Sequence, residues 1–440
     1  MIFLGSEIYK KAFDLSEKIK NKQAVVGIIG LGYVGLPLAL EIIQQGFTTI
    51  CFDKNINKVN QLKQGESYIT DLPSTNIEQA LATGRFEPTA QFEQLHEVDI
   101  IVICVPTPLD KEGNPDITYI ISAVEQISLH IKEGTLIILE STTYPGTTRD
   151  IVGAAIEQQG YTIGENSFIA YSPERIDPGN SSFNVTNTPK VIGGMTKECT
   201  DLAQLFYEHA LQTKVHRVST PEVAEMEKLL ENTFRQVNIA LVNELSKVCH
   251  TMGIDVWEVI DAAATKPYGF MRFTPGPGVG GHCIPVDPKY LSWAGQQHGT
   301  AVTLIDAADK INESMPQFVV ERLTNYLSLQ SKKLEKADII VVGAAYKPNI
   351  NDVRESPALP IIQLLQEQQC TLHIIEPFID IVQGIKTVEL TADLVQQADA
   401  VLIITNHSSI DYELIDRHAA LIFDTRQTAF SFENANYYKL

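Results

Sequence analysis

A glycine-rich segment near the N-terminus constrains the fold more than any other feature of the 440-residue sequence. The residues Gly30-Leu-Gly-Tyr-Val-Gly35 follow the apolar run Ala24–Ile29 and open the helical pattern Leu36–Gln45. In a GxGxxG so placed, the first glycine permits a tight turn and the second lets the backbone approach a pyrophosphate. The third lets the helix pack closely on the strand. The segment therefore predicts a βαβ unit that binds a dinucleotide.

An acidic residue at the end of the second strand indicates which dinucleotide is bound. Asp53 follows the apolar run Thr48–Phe52, where a carboxylate can accept hydrogen bonds from ribose hydroxyls and would repel a 2′-phosphate. We therefore expect the cofactor to be NAD; the alternative is a glycine-rich turn beside a solvated acid. The residues assigned here to the cofactor site are Gly30, Gly32, Tyr33, Val34, Gly35, Asp53 and Lys58.

Further apolar runs of strand length alternate with helical patterns, which predicts a parallel, doubly wound sheet. They are Asp99–Val105, Thr135–Glu140, Phe168–Tyr171 and Lys190–Gly193, and in the C-terminal part Ala337–Gly343, Thr371–Ile375, Ala400–Thr405 and Leu421–Asp424. Ligands bind at the carboxyl ends of such strands. Thr107, Thr142 and Glu174 follow strands in this way. Thr107 could instead cap a turn, and Glu174 could be an ordinary loop acid.

Helical patterns replace the strands from Thr220 onward. Thr220-Pro-Glu is a typical helix start, and the pattern runs to about Met252, which is long for a globular helix. Shorter helices are expected at 256–264 and 306–328. We predict an α/β fold with two Rossmann-like doubly wound parallel-sheet domains, joined by a helical domain with one long central helix. The predicted parts are an N-terminal helical extension (1–22), an NAD-binding domain (23–218), a helical central domain suited to dimerisation (219–316) and a second α/β domain (317–440).

Composition excludes several classes of partner. The formal net charge of −20 repels nucleic acid and anionic membranes, so an anionic ligand would need a local basic pocket. No apolar run approaches the ~20 residues of a membrane-spanning helix, and no secretory signal is apparent. Six scattered cysteines without a CxxC pair indicate a cytoplasmic protein with reduced thiols. We expect no metal site, because His282 and Cys283 have no partner pair at zinc spacing.

One cysteine stands apart from the others as a candidate nucleophile. Cys283 lies in Gly280-Gly-His-Cys-Ile-Pro-Val-Asp287, where glycines leave backbone N–H groups uncovered and Asp287 follows by about one helical turn. Most cysteines are inert core residues, and that reading fits Cys104, within an apolar strand. For Cys283 both interpretations stay open. Lys228 and Asn232 share one face of the long helix, although a solvated surface lysine is the more common case.

Taken together, seven motifs resemble the UDP-glucose/GDP-mannose dehydrogenase family, in the family's order, from about Val25 to Arg426. The motifs are GLGYVGLP (Gly30–Pro37), VPTP (Val105–Pro108), ESTTYPG (Glu140–Gly146), SPER (Ser172–Arg175), EKLLENTFR (Glu227–Arg235), GVGGHCIPVDP (Gly278–Pro288) and YKPNINDVRESPA (Tyr346–Ala358). The resemblance implies an NAD domain, a helical dimerising domain and a UDP-binding domain.

The resemblance also implies roles for individual residues. Cys283 is the nucleophile, Lys228, Asn232 and Asp287 position water and stabilise oxyanions at the reacting C6, and Thr142 and Glu174 belong to the NAD-domain side, with Glu174 a candidate base or water-positioning residue. By the same resemblance, Lys347 faces the UDP-sugar and Arg354 faces the cofactor. Arg272 reaches into the substrate site of a neighbouring subunit. Arg175 and Gly280 are the remaining residues that the resemblance assigns to the substrate-binding site. The implied partners are a UDP-sugar substrate and a second copy of the chain, as a homodimer or higher oligomer.

The chemistry implied is a four-electron oxidation of a C6 alcohol to a carboxylate through a thioester on Cys283. Covalent capture retains the reactive aldehyde and divides a difficult change into easier steps. The second α/β domain lacks a GxGxxG after its first strand, having Gly343-Ala-Ala-Tyr-Lys347 instead. Phosphates there would rely on side-chain cations and a helix N-terminus, which fits a different nucleotide in that half.

One departure from the family pattern bears on the substrate. UDP-glucose enzymes usually carry a second Glu four residues after the first, but here that place is Pro178, so Glu174 works without it or Asp177 substitutes. SPERIDPGN and STTYPGTTR resemble instead the UDP-N-acetylhexosamine branch, which supplies surface polysaccharides such as capsule and lipopolysaccharide. We expect UDP-GlcNAc, with UDP-ManNAc, UDP-GalNAc or UDP-glucose as alternatives. A non-catalytic NAD/UDP-sugar-binding protein and an epimerase or lyase with transient oxidation are the alternatives of other classes.

Overall fold

The computed structural model describes residues 4–69, 72–175 and 186–440, with side chains from residue 10 onward. The chain divides into two compact units. Unit 1 comprises Met1–Glu231 and Lys289–His298, and unit 2 comprises Asn232–Pro288 and Gly299–Leu440. The four-part domain division drawn from the sequence stays a prediction.

Strands and helices alternate along most of the chain. The strands are β1 (Val25–Ile29), β2 (Thr48–Phe52), β3 (Phe86–Thr89), β4 (Ile100–Ile103), β5 (Thr135–Leu139), β6 (Ser167–Tyr171), β7 (Lys190–Gly194), β8 (Val215–Arg217), β9 (Asp338–Val342), β10 (Thr371–Ile375), β11 (Ile381–Val382), β12 (Ile385–Lys386), β13 (Ala400–Ile403), β14 (Ile422–Asp424) and β15 (Tyr437–Lys439). The α-helices are α1 (Leu4–Lys20), α2 (Gly35–Gln44), α3 (Ile56–Lys63), α4 (Ser74–Ala82), α5 (Thr118–His130), α6 (Ala154–Gln158), α7 (Lys197–Ala210), α8 (Pro221–Met252), α9 (Val256–Ala264), α10 (Asp287–Gln297), α11 (Thr303–Glu313), α12 (Met315–Leu329), α13 (Ala358–Glu367), α14 (Ala392–Gln397) and α15 (Tyr412–His418). A 3₁₀ helix covers Phe92–Glu97 and a π-helical turn covers Thr148–Gly153.

Unit 1 contains an eight-stranded sheet in the order β3-β2-β1-β4-β5-β6-β7-β8. All neighbouring strands are parallel except β6 and β7, which pair antiparallel. The central strands are apolar throughout because both faces are covered, with alternate residues contributing to two separate cores. The chain order reverses between β1 and β4, and in such sheets this is the place where ligands bind. The predicted doubly wound fold is confirmed.

The N-terminal extension is a helix that belongs to the core of unit 1. Leu15 and Ile19 of α1 are buried in the same core as α2 and α7. The Lys18 ammonium lies 2.8 Å from the Asp99 carboxylate, which also accepts the Val25 N–H at 3.0 Å. The helix is therefore attached to the beginnings of β1 and β4, the end of the sheet opposite the glycine loop.

Unit 2 contains a smaller sheet and most of the remaining helices. Its five strands are parallel and follow the order β10-β9-β13-β14-β15, while β11 and β12 form a short antiparallel hairpin. Two apolar clusters cover the two faces of the five-stranded sheet. The second predicted Rossmann-like sheet is therefore confirmed. No helix in the described part of the chain is long and apolar enough to cross a membrane.

The predicted long helix is confirmed as α8, with 32 residues. It ends where Gly253 takes a positive φ of 68°, a conformation that glycine adopts without strain. The expectation of one helix over 306–328 is wrong, because the chain forms two. α11 ends before Ser314, and α12 begins with Pro316 in its first turn. A proline has no N–H to continue the preceding ladder, but it is tolerated at a helix start.

Candidate active site

The glycine loop of unit 1 has the geometry that its sequence predicts. Gly30 has a φ of +96°, and a Cβ added there would lie 2.6 Å from the Cys104 carbonyl oxygen. A Cβ on Gly35 would lie 2.0 Å from the Gly30 carbonyl oxygen. Around Gly32, by contrast, a Cβ would meet no heavy atom of the described chain within 4 Å. The first and third glycines are thus needed for packing, and the second leaves the backbone open before α2. This fits a bound pyrophosphate.

Asp53 lies beside this loop, at the end of β2. One carboxylate oxygen accepts the Leu31 N–H at 3.1 Å, and the other accepts the Asn55 N–H at 2.8 Å. The Lys58 ammonium is 4.0 Å away, and the Asp53 side chain keeps 15% of its surface exposed. Each carboxylate oxygen can accept a further hydrogen bond. The carboxylate is therefore attached to the loop and can still receive a ribose hydroxyl.

The segments that follow β4 and β5 are joined next to the glycine loop. The Ser141 hydroxyl donates to the carbonyl oxygen of Val105 at 2.8 Å. The Tyr290 hydroxyl, on α10, lies 3.1 Å from the carbonyl oxygens of Thr107 and Pro108. Thr107 and Thr142 are both half-buried. The predicted residues of these two segments therefore lie at the same edge of the sheet, where the carboxyl ends of the parallel strands meet.

Lys228 is buried, so the interpretation of it as a solvated surface residue is wrong. Its side chain lies in the first half of α8, and its ammonium donates to the backbone carbonyl oxygen of Glu174. The next residue, Arg175, pairs with Glu231 and lies 3.5 Å from Glu227. The SPER motif is thus attached to α8 at two points. Asp177 and Pro178 lie outside the described residues.

Unit 2 places Cys283 in the turn that leads into α10. The Cys283 side chain is half-buried, and its carbonyl oxygen accepts the N–H groups of Val286 at 3.1 Å and Asp287 at 2.9 Å. Asp287 thus begins α10 one turn after the cysteine, as the spacing predicts. Its buried carboxylate accepts a hydrogen bond from the buried Asn232 amide. Cys283 is not sealed in a core. A nucleophile must be accessible to its substrate, and the half-buried position of Cys283 meets that requirement.

The segment 346–357 packs against the Cys283 loop. The Gly281 N–H donates to the Arg354 carbonyl oxygen at 3.0 Å, and a Cβ on Gly280 would lie 2.7 Å from the Tyr346 Cβ. The Arg354 guanidinium pairs with Asp352 at 2.6 Å and lies 3.5 Å from His282. Lys347 is half-buried on the same segment. The structure therefore brings two motifs, separated by about 70 residues, into one place.

Three family models match the chain in sequence order. They describe the NAD binding domain (residues 24–211), the central domain (222–314) and the UDP binding domain (340–430) of UDP-glucose/GDP-mannose dehydrogenases. The chain belongs to the UDP-glucose/GDP-mannose dehydrogenase family. It is an NAD-dependent UDP-sugar dehydrogenase, and the expectations of NAD and of this family are confirmed.

Similar dehydrogenases are found in bacteria and archaea. The chain is 35% identical over 359 residues to a UDP-N-acetyl-D-glucosamine 6-dehydrogenase of Pseudomonas aeruginosa, covering 81% of this chain and 84% of that protein. It is 34% identical to a UDP-N-acetyl-D-mannosamine dehydrogenase of Methanococcus maripaludis, with coverage of 87% and 86%. The solved structure of a UDP-D-ManNAc dehydrogenase from Pyrococcus horikoshii superposes with a TM-score of 0.86 at 30% identity, covering 94% of this chain and 98% of that one.

The dehydrogenase brings together some of the predicted site residues within each unit. Unit 1 places Lys228 against Glu174, and unit 2 places Asn232 against Asp287 in the turn after Cys283. Arg272 is exposed and pairs with Asp261 at 2.8 Å. The catalytic and binding roles given to these residues stay predictions. Among the described residues no group of three or more His, Cys, Asp or Glu side chains is arranged to hold a metal.

A buried ionic cluster, which none of the sequence motifs indicates, supports Glu174. The Lys190 ammonium lies 2.7 Å from the Glu140 carboxylate and 3.5 Å from that of Glu174, and Tyr207 donates to Glu140. Burial raises the pKa of Glu140, which the Lys190 ammonium opposes. Burial acts to lower the pKa of Lys190, but the two carboxylates raise it above its ordinary value. The available signal was a lysine at the start of an otherwise apolar strand.

Cys104 borders the same cluster and behaves as the sequence predicts. It is buried, and its thiol lies 3.8 Å from Glu140. Burial, reinforced by the neighbouring Glu140 carboxylate, raises the pKa of the Cys104 thiol well above its ordinary value. A thiol held protonated in this way is a poor nucleophile. None of the six cysteines, all within the described ranges, forms a disulfide.

Proposed function

We propose that this dehydrogenase oxidises the C6 alcohol of a UDP-N-acetylhexosamine to the uronic acid, with UDP-GlcNAc as the first candidate substrate. The proposal rests on Cys283, a half-buried thiol one turn before the Asn232–Asp287 pair. The SPERIDPGN and STTYPGTTR motifs and the names of the relatives from Pseudomonas and Methanococcus support an N-acetylhexosamine. The product would serve as a precursor of surface polysaccharides such as capsule or lipopolysaccharide.

The proposed reaction has two oxidations and one hydrolysis. Bound NAD⁺ supplies the hydride acceptor for each oxidation. In the first, the C6 alcohol loses a hydride and its hydroxyl proton, and Glu174 accepts that proton directly or through a positioned water. The Cys283 sulfur then forms a bond to the aldehyde carbon while the thiol proton passes to the aldehyde oxygen, which gives a thiohemiacetal. Loss of a second hydride and the hydroxyl proton gives a thioester, which water cleaves to the carboxylate and the thiol.

Two side chains on α8 are proposed to stabilise the oxygen of the reacting carbon. Lys228 and Asn232 are one helical turn apart, and both are buried, so their donors are held in place before the reaction. Prearranged donors of this kind typically contribute about 3 kcal/mol each to transition-state stabilisation. Asp287, held by Asn232, is proposed to orient the water that cleaves the thioester.

The decisive experiment measures how much NADH forms per molecule of UDP-sugar. With limiting UDP-GlcNAc and excess NAD⁺, we expect about two NADH per sugar, because the thioester route contains two hydride transfers. Cys283→Ser should lose net uronate formation, while Cys370→Ser, at a half-buried cysteine outside the motifs, should retain it. One NADH per sugar, or a changed sugar without NADH, would contradict the proposal and favour an alcohol dehydrogenase or an epimerase.

A panel of UDP-sugars distinguishes the candidate substrates. We expect kcat/KM to be highest for UDP-GlcNAc among the UDP derivatives of GlcNAc, ManNAc, GalNAc and glucose. UDP-ManNAc is the second candidate, because dehydrogenases of that name from two archaea are similar in sequence or structure. A preference for UDP-glucose would overturn the assignment to the N-acetylhexosamine branch. Ligand binding without turnover of any UDP-sugar would favour the non-catalytic alternative.

We also propose that two copies of the chain pair through α8. One stripe of this helix carries exposed apolar side chains, although apolar side chains usually face a core. The stripe consists of Val223, Met226, Leu230, Phe234, Leu241, Val248 and Met252. In such a homodimer, Arg272 would reach the substrate of the neighbouring subunit.

Leu241→Glu should give a monomer in light scattering with a raised KM for UDP-sugar, whereas Arg272→Ala should raise the KM and leave the dimer intact. A Leu241→Glu variant that stays dimeric would contradict the proposed interface.

A further inference from the structure

In unit 2, a buried carboxylate occupies the position that Asp53 occupies in unit 1. Glu376 directly follows β10, the strand that pairs with β9, and β9 leads into the loop 343–349, here called the second loop. Asp53 likewise follows β2, which pairs with β1 before the glycine loop. Each acid accepts the N–H of the residue after the first glycine of its loop: Leu31 for Asp53, and Ala344 for Glu376. The two positions are therefore topologically equivalent.

The protein itself donates hydrogen bonds to both oxygens of the Glu376 carboxylate. One oxygen accepts the N–H groups of Ala344 at 2.7 Å and Ala345 at 3.0 Å, together with a bond from the His407 ring at 3.0 Å. The other accepts the Phe378 N–H at 3.1 Å. The side chain is completely buried. Burial acts to raise the pKa of Glu376, but His407 and the N–H groups hold it below its ordinary value. This carboxylate has little capacity left for a ligand.

His407 connects this carboxylate to the far end of the second loop. Its Nδ1 accepts the Asn349 N–H at 3.0 Å, so the ring proton is assigned to Nε2, which donates to Glu376. The Asn349 side chain in turn accepts the Ser408 N–H at 2.9 Å, which supports the positive φ of 63° at Asn349. Between the two ends, the Thr405 hydroxyl donates to the Ala345 carbonyl oxygen at 2.6 Å. The loop that carries Lys347 is therefore held at its start, its middle and its end.

We infer that Glu376 and His407 are positioning residues, which hold the second loop in the conformation that receives the UDP-sugar phosphates. The Glu376 carboxylate itself does not bind the ribose. The inference rests on the proposed assignment of Lys347 to the UDP-sugar. A loop that is already ordered loses less conformational entropy when its ligand binds, so the bonds within the loop contribute to affinity without touching the ligand. The dipoles of the surrounding N–H groups partly offset the negative charge of Glu376, so the carboxylate repels an incoming pyrophosphate less.

Titration calorimetry with UDP and with NAD⁺ tests the positioning role. His407→Phe keeps an aromatic ring at this position and loses both bonds, so we expect UDP to bind about tenfold more weakly while the affinity for NAD⁺ stays within about twofold. His407→Gln can still donate to Glu376 and accept from Asn349, and it should recover most of the loss. The matched control is His373→Gln, because His373 lies on β10 and pairs with Asp338 away from the second loop.

A second pair of measurements separates a loop contact from a ribose contact. Thr405→Val removes only the bond to Ala345, and it should weaken UDP binding about threefold without loss of folded protein. Glu376→Gln should weaken UDP and 2′-deoxy-UDP by the same factor, because the carboxylate acts on the loop. If Glu376→Gln removes the discrimination between the two nucleotides, the carboxylate touches the ribose and the inference is wrong.

The remaining outcomes assign a failure to one proposal or the other. If the unaltered enzyme does not bind UDP, the proposed function itself fails. If it binds UDP and His407→Phe binds UDP equally well, only the positioning role fails. If His407→Phe loses UDP and NAD⁺ affinity together, the residue supports the fold in general, and the positioning role is also rejected.

Discussion

The two nucleotide loops begin alike and then diverge. Gly30 and Gly343 both follow the first strand of their sheet with positive φ, at 96° and 83°. In both, an added Cβ would meet a carbonyl oxygen after the neighbouring strand, that of Cys104 at 2.6 Å or Thr405 at 2.2 Å. The second and third glycines of the first loop are replaced in the second by Ala345 and Pro348. The shared glycine serves the strand crossing. Of the other two, Gly32 leaves the backbone open before α2, and Gly35 lets the helix pack closely on the loop.

The acids beside the two loops also differ in how accessible they are to a ligand. Asp53 keeps part of its surface exposed, and a ribose hydroxyl can still reach it, whereas Glu376 is buried and occupied by the protein. Equivalent positions in two similar sheets therefore leave one carboxylate open to a ligand and enclose the other within its own domain. A shared fold thus fixes the place of a side chain more firmly than its task.

The largest effect is expected from adding one methyl group to either first glycine. Gly30→Ala should weaken NAD⁺ binding by about a hundredfold and leave UDP binding nearly unchanged. Gly343→Ala should weaken UDP binding by about a hundredfold and leave NAD⁺ binding nearly unchanged. The cause is steric, because each Cβ would contact the backbone of the neighbouring strand end. Calorimetry with both ligands checks the pair. Equal losses of both ligands in either variant would break the comparison between the loops.

Buried acids in the two units should respond to pH in opposite directions. Burial raises the pKa of Glu225 in unit 1 from 4.5 to about 7, although Thr148 and Gly146 donate to it. The folded state then holds a proton that the unfolded state has lost, so stability falls by up to roughly 3 kcal/mol as pH rises from about 4.5 to 7. For Glu376 the folded pKa is lowered, so its contribution is present above pH 4.5 and is lost as pH falls below it.

Melting curves of Glu225→Gln and Glu376→Gln between pH 3.5 and 8 test this contrast. Relative to the unaltered enzyme, Glu225→Gln should gain melting temperature as pH rises from 5 to 7. Glu376→Gln should be destabilised at pH 7 and approach the unaltered enzyme in acid. Parallel pH profiles for the two differences in melting temperature would show that the pKa values of the two acids are not shifted in opposite directions.

A smaller effect is expected at Asp53, the partly exposed acid of unit 1. Asp53→Ser should lower kcat/KM for NAD⁺ about tenfold, because hydrogen bonds of a ribose hydroxyl to a charged group are lost. NADP⁺ should gain relative to NAD⁺, because the repulsion of the 2′-phosphate is removed. The measurement is the ratio of kcat/KM for the two cofactors. An unchanged ratio would mean that Asp53, like Glu376, acts only on its own loop.

The smallest effect is expected from Lys58. Its ammonium is 4.0 Å from Asp53 and more than a third of its side chain is exposed, a geometry in which an ion pair contributes little. Lys58→Met should change the KM for NAD⁺ by less than about threefold. A larger rise in KM, without a change for UDP-sugar, would mean that the lysine contacts the cofactor directly.

Much of the fold could be predicted because local patterns determine it. The apolar runs at Thr48–Phe52 and Thr371–Ile375, and the helix at Val256–Ala264, have the same limits in the structure. The division near Ser314 was missed, because the apolar period continues across it. The antiparallel pairing of β6 and β7 was missed too, since strand direction depends on the path of the chain between strands.

Local sequence patterns were sufficient to predict the sheet class, the three glycines of the dinucleotide loop, the acid after β2 and the cysteine one turn before Asp287. These features depend on backbone geometry and on neighbours within a few residues. Three other features became visible only in the folded chain. They are the burial of Lys228 against Glu174, the position of Lys190 between two carboxylates, and the contact of Glu376 with His407. Burial and charge pairing arise between residues far apart in the chain, and the dielectric surroundings of a side chain exist only once the strands that carry its partners have come together.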